Sequence, residues 1–135
     1  MSEAKRFAGY AAIFDRADRG GDVIRKGAFA ASLERGEKVP LLRQHQPGRV
    51  IGRIERLAED ARGLRVIAEL SGGEDARRAG ALLASGRLDG LSFGYRVRES
   101  GETAAGLREL NAVDLVEVSL VADPMQPKAR VHAVE

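Results

Sequence analysis

The sequence predicts a mainly β fold with short helices, of the α+β class, built as a small closed or partly open barrel of about six or seven strands. Several segments alternate apolar and other residues with a period of two, which is typical of strands with one buried face. Glycine and proline turn signals separate these segments at short intervals. Only two segments are predicted as helices and both are short, so we expect helices to decorate the strands rather than to form the core.

Length and composition indicate one domain over residues 1–135, and an ordinary globular protein. Hydrophobic residues make up 44% of the chain and charged residues 31%, which is enough apolar surface for one core. The absence of cysteine excludes a disulfide framework, a thiolate metal site and a cysteine nucleophile, and it suits an intracellular protein. With only two histidines, any metal site would have to be rich in carboxylates, so we expect neither a metal nor a cofactor.

Charge and hydropathy bear on the partners. No apolar run approaches the ~20 residues that span a bilayer, and the N-terminus lacks an apolar segment of signal-peptide length. Residues 1–56 hold 12 Lys and Arg against 7 Asp and Glu, whereas residues 57–135 hold 10 against 13. A basic N-terminal half is compatible with an acidic partner or with nucleic acid. There is no basic run and aromatics are only 4%, so we expect a solvated arginine-rich surface and no nucleic-acid or membrane partner.

The N-terminal half begins with a predicted strand over residues 7–14 and a charged loop over 15–22. A short helix is predicted over residues 28–33, because alanine and leucine favour helix, and it ends at Gly36. Pro40 opens the segment 41–45, which the turn signal Pro47-Gly48 follows.

Two alternating segments, residues 49–57 and 63–70, are predicted as strands joined by a hairpin loop. A helix follows over 74–85, with Glu74 and Asp75 in its first turn and Gly86 as its C-cap. After a strand containing Ser92, the pattern predicts a polar loop over 98–106, one or two strands over 107–121, and a last short strand over 129–134.

The strand around Ser92 has one apolar face, formed by Leu91, Phe93 and Tyr95. Ser92 and Gly94 lie on the other face. A glycine inside a strand often marks a place where another backbone or a ligand comes close. We therefore expect Gly94, together with Gly90, to leave room for a substrate backbone beside the hydroxyl.

Three polar residues, His45, Ser92 and Glu117, fall where the pattern favours apolar or neutral ones. A serine nucleophile needs a base, for which histidine is suited, and the base needs a group that fixes its tautomer. From spacing alone, other interpretations stay open. His45 could be a turn residue, and Ser92 could be a small residue on a solvent-exposed strand face. Glu117 could face solvent or pair with an arginine, although its neighbours are apolar.

Five segments in order resemble a known family. They are residues 9–14, 22–29, 41–45 with 51–54, 90–95, and 115–121 running into Pro124. Together they cover nearly the whole chain and resemble the prohead maturation serine proteases of tailed phages and of phage-derived gene transfer agents. That family is similar in fold to the herpesvirus assembly proteases, which implies a β-barrel ringed by helices.

The resemblance implies roles for the three residues: His45 the base, Ser92 the nucleophile and Glu117 the acid that orients the base. His132 is the alternative third member. The backbone N–H groups of Ala122 and Asp123 are candidate oxyanion donors.

The implied function is a serine endopeptidase, without a cofactor, that processes capsid or scaffold precursor proteins during phage-type capsid maturation. It would act in the cytoplasm of a bacterial host, within the immature capsid, and the herpesvirus analogy suggests a homodimer. The alternative is a catalytically inactive capsid-assembly or scaffold module with the same fold. A nucleic-acid-binding β-barrel is a weaker alternative.

Overall fold

The computed structural model describes residues 3–135, which form eight strands and two short helices. The strands are β1 (Arg6–Ile13), β2 (Asp22–Ile24), β3 (Pro40–Arg43), β4 (Gln46–Glu59), β5 (Gly63–Leu70), β6 (Gly90–Glu102), β7 (Arg108–Val121) and β8 (Val131–Val134). The helices are α1 (Ala30–Glu34) and α2 (Glu74–Ala84). The predicted mainly β class with short helices is confirmed.

All eight strands belong to one sheet, in the order β2-β7-β3-β4-β5-β1-β8, with β6 paired to β7. The pairs of β7 with β2 and with β3 are parallel, whereas the other pairs are antiparallel. Strand β7 is thus the hub of the sheet, because β6 lies along its whole length while β2 and β3 pair with its two ends.

The sheet curls but does not close. Across the described residues, 3–135, backbone pairing between β6 and the segment that leads into β8 is limited to the isolated bridge between Gly90 and Arg130 and to the hydrogen bonds that flank it. Of the two expected forms, the partly open barrel is therefore the observed one. The strands number eight rather than six or seven.

Two element predictions are wrong. The polar segment 98–102, predicted as a loop, continues β6 and pairs with the start of β7. Backbone pairing rather than burial holds this part of the hairpin, so no apolar pattern marks it. Strand β2 was missed because its three residues are too short for an alternating pattern. Residues 107–121 give one strand, not two, beginning at Arg108.

The core lies inside the curl of the sheet. Apolar side chains from both halves of the chain are fully buried there, among them Phe29, Leu41, Ile51, Leu64, Leu91 and Leu120. Phe29 contacts Phe93 edge to face, with ring centroids 5.1 Å apart, and Phe93 contacts Tyr95 at 5.0 Å. The apolar face predicted for the Ser92 strand therefore packs against this core.

The helices end where glycine was expected to end them. Gly36 and Gly86, which follow α1 and α2, both have positive φ, the conformation that glycine adopts readily. A bidentate ion pair between Arg49 and Asp75, at 3.0 and 2.9 Å, joins α2 to β4. Neither helix is long and apolar enough to cross a membrane.

Candidate active site

The site is built around a two-residue hairpin turn between β3 and β4. Arg43 pairs with Gln46, which leaves Gln44 and His45 as the central residues of the turn. Both have positive φ, 53° and 60°, as a type I′ turn requires. Residues other than glycine adopt this conformation at a cost of about 1–3 kcal/mol each, so the surrounding structure must hold them there.

The end of β7 holds this turn. The Gln44 N–H donates to the carbonyl of Leu120 at 3.0 Å, and the His45 N–H donates to the Ser119 hydroxyl at 3.1 Å. Both contacts follow from the parallel pairing of β3 with β7, which sets Leu42 beside Ser119. The turn therefore lies over the face of β7 that carries Glu117.

His45 and Glu117 are in direct contact. Nδ1 of His45 is hydrogen bonded to Oε1 of Glu117. The Glu117 side chain is buried, while that of His45 is 44% exposed. This hydrogen bond and the carboxylate charge raise the pKa of His45, against the smaller opposite effect of partial burial. With Nδ1 engaged, Nε2 is the ring nitrogen left for proton transfer.

Ser92 lies beside this pair on β6. Its register partner on β7 is Ser119, and the partner of Gly94 is Glu117, so all four residues share one face of the sheet. Ser92 is only 9% exposed, yet it lines a cavity of about 320 Å³ that His45 also lines. The structure thus brings two predicted residues, His45 and Glu117, into contact and sets the third at the same cavity.

Within residues 3–135 no hydrogen bond joins the Ser92 hydroxyl to His45. Bonds between a nucleophile and its base are often long without substrate and tighten in the complex.

A larger groove, about 660 Å³, runs between α1 and strands β3 and β4 and contains none of the three residues. The cavity at Ser92 is therefore the one that the chemistry favours.

The expected room beside Ser92 is filled by the chain itself, so that prediction is wrong. A Cβ atom on Gly94 would lie 2.4 Å from Oε1 of Glu117, and one on Gly90 would lie 2.4 Å from the carbonyl oxygen of Val121. Gly94 makes space for the carboxylate that contacts His45, rather than for a substrate backbone.

Ser119 is a further residue at this site, and the sequence reasoning missed it. It is fully buried, and its hydroxyl donates to Oε2 of Glu117 at 2.6 Å. A serine two residues after Glu117 shares its strand face, and this is the only signal in the sequence that points to it.

Ala122 and His132, two of the other candidates from the sequence, have different surroundings. The Ala122 N–H is already hydrogen bonded to the side-chain oxygen Oε1 of Gln44. His132 packs on the ring of Tyr10, with centroids 5.8 Å apart, and does not line the cavity at Ser92. The contact between Glu117 and His45 makes the glutamate the better candidate for the third position.

Both apolar and acidic residues line the cavity. Leu91, Phe93 and Met125 contribute apolar surface. Asp22 and Asp123 also line it, and their carboxylates are paired with Arg108 and Arg19, respectively. In the described part of the chain, no group of three or more His, Asp or Glu side chains is arranged to hold a metal ion.

Comparison with known proteins finds a curated relative of nearly the whole chain. The prohead protease of Enterobacteria phage HK97 is 31% identical over 134 residues, which are 96% of this chain and 60% of that protein. The chain therefore spans less than two thirds of that curated relative.

Two solved structures are similar in fold. The bacteriophage T4 capsid assembly protease superposes with a TM-score of 0.72 at 15% identity, over 86% of this chain and 80% of the other. The varicella-zoster virus protease superposes with a TM-score of 0.63 at 16% identity, over 96% and 64%. The predicted likeness to the herpesvirus proteases is confirmed at the level of the fold.

The sequence profile of the family described as caudovirus prohead serine protease matches residues 1–135, the whole chain. Profile, relative and fold agree with one another, and the chain belongs to the caudovirus prohead serine protease family.

Proposed function

We propose that the chain is a serine endopeptidase that cleaves capsid or scaffold precursor proteins inside the immature capsid of a tailed phage or a gene transfer agent. The observation that supports this most directly is the contact of His45 with the buried carboxylate of Glu117, at a cavity that Ser92 also lines. Membership of the prohead protease family supports the substrate class.

In the proposed mechanism, the Ser92 Oγ attacks the carbonyl carbon of the scissile peptide bond while Nε2 of His45 takes the hydroxyl proton. The tetrahedral intermediate collapses when His45 returns this proton to the leaving amine. Water then hydrolyses the acyl-enzyme, again with His45 as the base. Glu117 holds the ring in the tautomer with Nδ1 protonated and stabilises the imidazolium that forms in each step.

The test is the substitution Ser92→Ala. We expect a folded protein in which cleavage of capsid precursor falls by about 10³-fold or more, because the nucleophile is lost. A fluorophosphonate probe is expected to label the unsubstituted chain at Ser92 and to leave the variant unlabelled. Undiminished cleavage of capsid precursor by the folded variant would contradict the proposal. If neither protein cleaved or was labelled, the inactive assembly module would be favoured instead.

A further inference from the structure

The Ser119 hydroxyl contacts both partners of the His45–Glu117 pair. It accepts a hydrogen bond from the backbone N–H of His45 at 3.1 Å and donates one to Oε2 of Glu117 at 2.6 Å. Ser119 is 0% exposed, and a hydroxyl buried to that extent is costly unless it is hydrogen bonded. A serine has one donor, and here it is committed to the carboxylate.

Each of the two bonds fixes something that the pair needs. The bond to His45 holds a residue whose φ of 60° is otherwise unfavourable. The bond to Glu117 engages one carboxylate oxygen and leaves the other, Oε1, for His45. A carboxylate held at both oxygens has little freedom to rotate, and hydrogen bonds to a charged acceptor are among the stronger ones in proteins.

We propose that Ser119 is a positioning residue: its hydroxyl aligns the Glu117 carboxylate with the His45 ring and holds the strained turn that carries this ring. Ser119 acts through its two neighbours and does not line the cavity at Ser92. The inference rests on the proposed function, since the alignment serves proton transfer to His45. Glu117 is the charged group in contact with the ring.

The experiment combines Ser119→Ala with a matched control, Ser32→Ala. Ser32 is also a buried serine whose hydroxyl accepts a backbone N–H from β7, that of Leu115 at 2.9 Å, but it lies on α1 away from His45. The main measurement is the NMR titration of the His45 imidazole, which is simple to assign because the chain has only two histidines. A His132→Gln variant identifies the second signal.

We expect Ser119→Ala to lower the pKa of His45 towards its ordinary value, because the carboxylate is no longer held against the ring. Ser32→Ala should leave it unchanged. On a peptide substrate, Ser119→Ala should lower kcat by about ten- to a hundred-fold with little change in KM. Ser119→Thr keeps the hydroxyl and should restore most of both values. If Ser119→Ala does not fold, Ser119→Cys carries the same test, since its weak S–H donor should also lower the pKa.

A double-substitution cycle tells a positioning role from a merely structural one. In a Glu117→Gln background, Ser119→Ala should cost little further activity, because residues that act as a unit are not additive. An unchanged His45 titration in Ser119→Ala, or a full multiplicative loss in the cycle, would overturn the inference. The titration needs no substrate, so it separates a failure of this inference from a failure of the proposed peptidase activity.

Discussion

The proton affinity of His45 is set chiefly by one neighbour, the Glu117 carboxylate, and this has a consequence for the pH dependence. The pKa of His45 is raised above the ordinary 6.5 by the hydrogen bond to Glu117. A base must be neutral to accept a proton, so kcat/KM should rise with pH through a midpoint above 6.5. In Glu117→Gln the imidazolium loses its anionic partner. We expect a midpoint at lower pH and a loss of about 10²-fold or more in kcat, measured by peptide cleavage across the pH range.

Glu109→Gln is the control for this pH profile, because Glu109 lies on the same strand but is paired with Arg25, away from His45. Its midpoint should match that of the unsubstituted chain. A midpoint that stays in place in Glu117→Gln would contradict the assignment.

The contact between His45 and Glu117 also affects folding. The stability that it adds to the folded state is fully present below the unfolded pKa of His45. This stability is lost as the pH rises through the raised folded pKa.

Residues at this site differ in how far the sequence reveals them. Glu117 was identifiable because a carboxylate among valines and leucines violates the apolar pattern. Ser119 violates nothing, because a serine is small enough to be tolerated on either face of a strand. Its role depends on the strained turn of β3 and β4, which comes from a distant part of the chain.

At the scale of elements, Gly94 on β6 leaves the space that the Glu117 side chain on β7 occupies. The substitution Gly94→Ala tests whether this space matters. The new methyl group would lie 2.4 Å from Oε1 and 2.9 Å from Cγ of Glu117. The clash is with the end of a side chain, so we expect the fold to persist while the carboxylate moves off His45. The His45 pKa, followed by NMR, should fall, and cleavage should drop by about ten-fold or more.

Gly101→Ala is the matched control in the same strand, because its methyl group would meet nothing closer than 3.7 Å. This variant should titrate and cleave like the unsubstituted chain. Normal activity in a folded Gly94→Ala would show that the position of Glu117 matters less than the geometry implies.

Elements with a buried face were predicted better than elements without one. Strand β5 and helix α2 agree with prediction to within a residue, because each buries one face and is bounded by glycines. Strand β6 is exposed on both faces from Arg96 to Glu102, so its pairing with β7 rather than its own burial defines this part of the strand. An apolar pattern in the sequence cannot predict a strand that is held by backbone pairing and has no buried face of its own.

At the scale of the whole molecule, the uneven distribution of charge is largely compensated by ion pairs. Arginines from the basic N-terminal half pair with carboxylates from the acidic remainder. These pairs are Arg19–Asp123, Arg25–Glu109, Arg35–Asp114, Arg49–Asp75 and Arg53–Glu69. The sequence shows the excess of arginine, whereas only the fold shows where the compensating charges lie.

This pairing predicts that the chain has no salt-dependent affinity for DNA. An arginine paired with a carboxylate keeps its charge, but the carboxylate offsets it, so the pair displaces few counterions from a phosphate backbone. Fluorescence anisotropy with a labelled duplex at low and at physiological salt should show no binding that depends on salt. An affinity that falls steeply as salt rises would revive the nucleic-acid-binding alternative. That residues 1–135 form a single domain, and that the chain forms a homodimer, stay predictions.

The parallel pairing of β3 with β7 could not be predicted from the sequence, and this pairing determines whether His45 contacts Glu117. The two residues are 72 positions apart, so their contact closes a long loop that contains β4, β5, α2 and β6. A ribosome makes the chain from its N-terminus, so His45 and Ser92 emerge well before their partner on β7. The site is thus incomplete on every nascent chain that ends before β7, and the proposed catalysis must wait until β7 has been synthesised.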